Sequence, residues 1–175
     1  MILNLSDVLS EQHKAIEKSV SIEMTYFKSE MGIFKIIEKT PLSLSIEYAG
    51  NKKLKVRGQA EITAVAPCDR CLTDVEVYVP LQFEHEVSAD PEALDQSDEL
   101  DENNYIDGYS FDVEQLIYNE LLVGWPTKIL CSDDCKGICN VCGQNLNEGT
   151  CNCEDTGLDP RMSVIRDVFK NFKEV

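Results

Sequence analysis

Through the first half of the chain, apolar residues recur at every second position. Val20, Ile22, Met24 and Tyr26 alternate with Ser21, Glu23 and Thr25. The run Ile33-Phe34-Lys35-Ile36-Ile37 follows. Leu42, Leu44, Ile46 and Tyr48 then alternate with Ser43, Ser45 and Glu47. Leu54, Val56, Ala60 and Ile62 alternate with Lys55, Arg57, Gln59 and Glu61. Val75, Val77, Val79, Leu81 and Phe83 alternate with Asp74, Glu76, Tyr78 and Gln82. A period of two lays apolar side chains on one face of a half-buried strand. Turn signals separate the runs at Glu30-Met31-Gly32, Thr40-Pro41, Ala49-Gly50-Asn51 and Pro67-Cys68. Strands joined by short connections predict an antiparallel sheet, curled or closed into a barrel-like body.

The pattern changes towards both ends. Ile2, Leu3 and Leu5 predict a short strand, and Ser6 then caps a brief helix with Leu9 on its inner face. Asp112, with Gln115 three residues on, resembles a capping box. Val113, Leu116, Ile117 and Leu121 form one apolar face of a helix over 113–123, ended by Gly124 and Pro126. A last helix opens at Asp159-Pro160-Arg161, with Met162, Ile165, Val168, Phe169 and Phe172 as its stripe. Between strands and helix, residues 88–107 carry eight acids and no strong period, the composition of a flexible acidic loop. The expected class is α+β. A mainly antiparallel body occupies 1–127, and a cysteine-rich module with a C-terminal helix occupies 128–175.

Composition adds bounds. The chain has 175 residues, 43% of them hydrophobic, enough for a core. No apolar run is long enough to span a membrane. The start, Met1-Ile2-Leu3-Asn4, lacks the basic and apolar regions of a secretory leader, so a cytoplasmic protein is expected. Net charge is −16, unevenly spread: from Cys71 to Thr127 there are fifteen acids and no Lys or Arg. Such a surface repels phosphates and attracts a basic partner. Asp98, Glu99, Asp101 and Glu102 cluster most densely and are the expected partner-binding residues.

Six of the eight cysteines lie between Cys131 and Cys153. Few apolar residues accompany them, so thiolates around a metal, not a hydrophobic core, must hold this stretch. Cys139-x-x-Cys142-Gly143 is a zinc-knuckle pattern, in which two thiolates turn toward one ion and glycine permits the tight turn. Asn147-Glu148-Gly149 returns Cys151 and Cys153 toward it. The first assignment is Cys139, Cys142, Cys151 and Cys153 around one zinc. The rival is Cys131, Cys135, Cys139 and Cys142. A second site can join Cys68 and Cys71 to Cys131 and Cys135. Disulfides or idle thiols are the alternatives, and a reducing compartment favours the metal. A dithiol redox role for Cys68-Asp69-Arg70-Cys71 fits poorly, because its flanks read as antiparallel strands. His13 reads as a solvated surface residue. His85, on the inward parity of Phe83 and Val87, reads as a partly buried residue with its hydrogen bonds met. No phosphate-cradling loop or nucleophile–base set is legible, so no enzyme is expected.

Several of these motifs together resemble the YceD family of large ribosomal RNA subunit accumulation proteins. They are Cys68-Asp-Arg-Cys71 before an alternating strand, the acidic loop, the helix near 113–123 and Trp125-Pro126. Cys131-x3-Cys135-Lys-Gly-Ile-Cys139-x-x-Cys142-Gly-x-Asn145-Leu146-Asn147, Cys151-x-Cys153 and Asp159-Pro160-Arg161 complete the set. The resemblance implies a bacterial ribosome-biogenesis role in the accumulation of large-subunit ribosomal RNA, and no enzymatic reaction. Combined with the charge, it leads to an expected partner that is a basic ribosomal protein or assembly factor. The alternative is local RNA contact by the zinc module, which Asp133, Asp134, Glu148, Glu154 and Asp155 against Lys136 disfavour.

Overall fold

A computed structural model describes residues 1–10, 14–51, 53–88 and 105–153. His13, the acids Asp98, Glu99, Asp101 and Glu102, and the helix expected from Asp159 lie outside the described residues. The elements run β1 (Ile2–Asn4), α1 (Ser6–Leu9), β2 (Ile16–Val20), β3 (Tyr26–Ser29), β4 (Gly32–Lys39), β5 (Leu42–Gly50), β6 (Lys53–Pro67) and β7 (Asp74–Ser88). They end with β8 (Ile106–Asp107), β9 (Ser110–Asp112) and a helix, α2 (Val113–Gly124).

The large sheet is antiparallel and built on β6. Along one side, β7 pairs with β6 over its whole length, from Lys53↔Ser88 to Pro67↔Asp74. Along the other, β5 pairs with its first half and β4 with its second. The chain therefore does not reverse at Thr40-Pro41. It steps aside there and continues in the same direction. Pro41 has no N–H for a ladder, and Thr40 closes the gap: its N–H donates to the Glu61 carbonyl at 2.9 Å. Its hydroxyl accepts from the Glu61 N–H at 2.8 Å. β2 and β3 repeat the arrangement one layer out, pairing with β5 and β4 respectively. The sheet is a meander of four long passes, with tips near residues 30, 51 and 70. Among the described residues it does not close, so the barrel-like body expected from the alternation is an open sheet. Period two reports which face a strand buries and is silent on whether the last strand meets the first.

The single strand expected over Val20 to Tyr26 is also corrected. Residues 21–25 are irregular, and the parity shifts across them: Val20 and Ile22 are buried, but Tyr26 is half exposed and Phe27 fully buried. A bulge at Ile37 shifts the β4–β6 register, and Ile37 itself faces outward by ordinary alternation from the buried Phe34 and Ile36. Pro80 sits opposite Glu61. The Glu61 backbone is already bonded to Thr40, so this pair is a non-hydrogen-bonded one and the missing Pro80 N–H faces the outer edge of β7.

One face of the sheet carries the core. Leu42, Leu44, Ile46, Leu54, Val56, Ile62, Ala64, Val79, Leu81 and Val87 are all buried there. α2 covers part of it, packing on β7 and β3 with Val113, Leu116, Ile117 and Leu121 inward. Asp112 caps α2, its carboxylate accepting from Glu114 N at 3.0 Å and Gln115 N at 3.4 Å. The reciprocal half of a capping box is replaced: the Gln115 amide donates to Asn119 at 3.1 Å. The helix stops because Trp125, ahead of Pro126, is extended. Its indole then stacks on Phe34 at 4.6 Å and meets Phe27 at 4.9 Å, tying the chain after α2 to the β3–β4 hairpin. β1, β9 and β8 form a small second sheet. It orders the end of the expected loop, because Tyr105 and Ile106 are buried and Tyr105 meets Phe111 edge-on at 5.4 Å. In α1 Val8 is fully buried and Leu9 packs partly buried on the same core; Ser6, expected as the cap, is instead the first helical residue, with Leu5 at the cap position. No helix among the described residues is long and apolar enough to cross a membrane.

Candidate metal centres

The longest hairpin delivers the first cysteine pair. β6 and β7 stay paired up to Pro67↔Asp74, and Cys68 N–H donates to the Thr73 carbonyl at 2.8 Å to close the tip. Within it, Leu72 N–H donates to the Cys68 carbonyl at 2.9 Å. Leu72 must take a left-handed φ of 62° to do so. The later motif is built alike: Gly143 N–H donates to the Cys139 carbonyl at 2.9 Å, and Gly143 has a φ of 74°. Cys68-x-x-Cys71 and Cys139-x-x-Cys142 are thus two copies of one knuckle. The residue after the second cysteine is glycine in one and leucine in the other, which is why only the later copy stands out in the sequence.

Each knuckle meets a second cysteine pair. Cys68, Cys71, Cys131 and Cys135 form one group and Cys139, Cys142, Cys151 and Cys153 another; within each, the four sulfur atoms lie within 4.8 Å of one another. Cys131 and Cys135 thus join Cys68 and Cys71, and not the later knuckle as in the rival grouping. The Sγ separations of 3.8 Å for Cys68–Cys135 and 3.5 Å for Cys71–Cys131 are far too long for disulfides, and all eight cysteines are free. A tetrahedral ion with metal–sulfur bonds of about 2.3 Å sets its ligands about 3.8 Å apart. Either tetrad can therefore hold a metal ion.

The surroundings favour thiolates. Burial pushes the Cys68 thiol up, but the N–H groups of Cys71, Arg70 and Cys131 outweigh it and hold it down at about 6. The N–H groups of Cys142 and Val141 hold Cys139 at about 6. A hydrogen bond from the Asn147 side chain lowers Cys135. Sharing protons with Cys135 and Cys71 pushes Cys131 up to about 12, and sharing with Cys142 does the same for Cys153. Four thiols this close cannot all ionise alone, and a dication removes that conflict.

The two centres differ in exposure. In the first, Cys68, Cys71 and Cys135 are buried. Here Asp69 binds the incoming chain twice: its N–H donates to the Ile129 carbonyl at 2.8 Å, and its carboxylate accepts from Ile129 N at 2.7 Å. Arg70 donates to the Cys135 carbonyl at 2.9 Å. In the second centre none of the four is buried, and a cleft of about 290 Å³ beside it is lined by Ile138, Val141 and Leu146. His85 belongs to neither group; its Nε2 lies 2.7 Å from Glu120 Oε1, and its ring stacks on Phe83. Sequence reading gave Asp69, Arg70, Thr73, Asn145 and Asn147 no role at the metal, although all but Thr73 lie within the motifs that carry the family resemblance.

The family described as "Large ribosomal RNA subunit accumulation protein YceD" matches residues 56–169, a span that includes all eight cysteines. An uncharacterized protein of Mycobacterium leprae is 29% identical over 105 residues, 60% of this chain and 48% of its own length. Uncharacterized proteins of Mycobacterium bovis and Mycobacterium tuberculosis are 30% identical over 105 residues, 60% of this chain and 50% of theirs. The chain spans about half the length of the curated relatives it matches. No solved structure matches it.

Proposed function

This chain belongs to the YceD family, and on that premise we propose that it is a ribosome-biogenesis factor. It supports the accumulation of large-subunit ribosomal RNA and catalyses no reaction of its own. The observation that carries this reading is the family match over 56–169. The metal at each tetrad is zinc, the ion that all-thiolate tetrahedral shells suit best. Both ions are structural: four protein sulfurs leave no open position for a substrate. The first fastens residues 129–135 to the tip of the β6–β7 hairpin, and the second shapes the loop beyond it. The partner is a basic ribosomal protein or assembly factor, drawn by the acidic segment 71–127 with its fifteen acids and no base.

The test replaces the gene in its own cell with a deletion, and separately with a Cys68→Ser, Cys71→Ser copy, and compares large- with small-subunit ribosomal RNA. The ratio falls in both strains. A ratio unchanged by the deletion overturns the reading. Elemental analysis of the purified chain gives two zinc ions per molecule.

A further inference from the structure

The two tetrads share no ligand, yet the loop that one of them closes supports the other. Asn147 lies between Cys142 and Cys151, inside the segment whose ends the second tetrad brings together. Its side chain serves the first tetrad. Its Nδ2 donates to Cys135 Sγ at 3.3 Å, and its Oδ1 accepts from Lys136 N at 2.8 Å, the amide that directly follows that ligand. The Lys136 amide fixes which end of the Asn147 side chain is oxygen. Nδ2 also reaches Asn145 Oδ1 at 2.9 Å. Asn145 in turn donates to Thr73 Oγ1 at 3.3 Å, which accepts from Cys71 Sγ at the same distance. A line of side chains thus runs from the loop of the second tetrad to two sulfur atoms of the first. The start of this loop is tied by its backbone to the knuckle's own approach, Leu146 N–H donating to the Gly137 carbonyl at 2.9 Å and the Gln144 carbonyl accepting from Cys139 N–H at 2.8 Å; its one apolar residue, Leu146, is only half buried.

We infer that the second, more exposed centre governs the first: a divalent, sulfur-seeking cation at Cys139, Cys142, Cys151 and Cys153 holds Asn147 on the sulfur of Cys135 and Asn145 on Thr73, the neighbour of the Cys71 sulfur. The inference rests on the reading that both tetrads bind metal. Donors to metal-bound sulfur fix the ligand and temper its charge. The exposed centre loses its ion first, its loop opens, and the buried centre loses its outer support in consequence. By reciprocity, an ion in the buried centre tightens the exposed one.

The probe is the full chain loaded with the NMR-active isotope of cadmium, which gives one resonance per centre. Cys142→Ser, which empties the exposed centre, assigns them. A chelator is added and both signals are followed in time. In the unaltered chain the exposed-centre signal decays first. Asn147→Asp keeps an oxygen for the Lys136 amide and removes the donor to Cys135. In that variant the buried-centre ion leaves about tenfold faster, the lower end of what outer-shell changes cost in metal sites. Cys142→Ser gives a similar acceleration at the buried centre and answers the question alone if Asn147→Asp does not fold. Two cadmium resonances with unchanged loss from the buried centre in these variants keep the metal reading and overturn the coupling. Fewer than two resonances in the unaltered chain overturn both.

Discussion

Leu72 is the clearest single residue out of step with its conformation. Its side chain is 63% exposed, so burial does not hold it in a left-handed φ. The knuckle does, through the bond to the Cys68 carbonyl. A non-glycine residue there costs about 1–2 kcal/mol, of which glycine would recover part after its greater freedom in the unfolded chain is counted. Leu72→Gly should raise stability by about 1 kcal/mol, read as a higher denaturant midpoint at constant slope. Gly58 is the converse. It lies opposite Phe83, whose ring covers it, and an added Cβ collides with that ring. Gly58→Ala should cost about 1–3 kcal/mol, as overpacking of a filled site does. Pairing it with Phe83→Leu should recover part of the loss, which a double-mutant cycle would measure.

At the level of elements, the strands were legible because each buries one face, and α2 was legible because its apolar stripe and its Asp112 cap agree. The path of the sheet was not. Thr40-Pro41 carries the residues of a reversal, yet Thr40 spends its hydroxyl and N–H on Glu61 and keeps the chain running on. Nothing local distinguishes those outcomes; the length of β6 does, since it has room for two strands end to end. The knuckle at 139–143 was legible from its glycine; at 68–72 the cysteine pair was legible as half of a metal site, and only the shape of its turn was hidden, because Leu72 stands where the glycine would. Both knuckles carry a pH signature. In the metal-free, reduced chain, Cys68 and Cys139 titrate near 6, below the ordinary 9.0. They favour the folded state above pH 9 and lose that contribution as pH falls through 6. Cys131 and Cys153 titrate near 12. They favour it below pH 9 and lose that contribution as pH rises through 12. The hairpin tip and the module should therefore be most protected near pH 9 and less so on either side. Hydrogen exchange of residues 68–73 and 129–147 at pH 6, 9 and 11, compared after correction for intrinsic rates, checks this.

For the whole molecule the dominant quantity is a net charge of −16. If a basic partner docks through it, affinity should fall as salt is added, since exposed charges are screened over about 8 Å at physiological ionic strength. Replacing Asp98, Glu99, Asp101 and Glu102 with Asn and Gln should slow association with ribosomal proteins more than it speeds dissociation. Stopped-flow binding at two salt concentrations measures both. Unchanged protein binding with tighter RNA binding would move the contact to the metal module. The same charge also acts where the chain meets its own copies. Among the described residues β7 has one strand neighbour, so along its fifteen residues every second one turns its backbone N–H and C=O to the far edge. A long exposed edge is an invitation to fibre growth. Here the growing ladder would meet Pro80, which offers no N–H at mid-strand, and Asp74, Glu76, Glu84 and Glu86, which set like charges against like. The chain can thus leave a fifteen-residue strand uncovered on one side and stay dispersed.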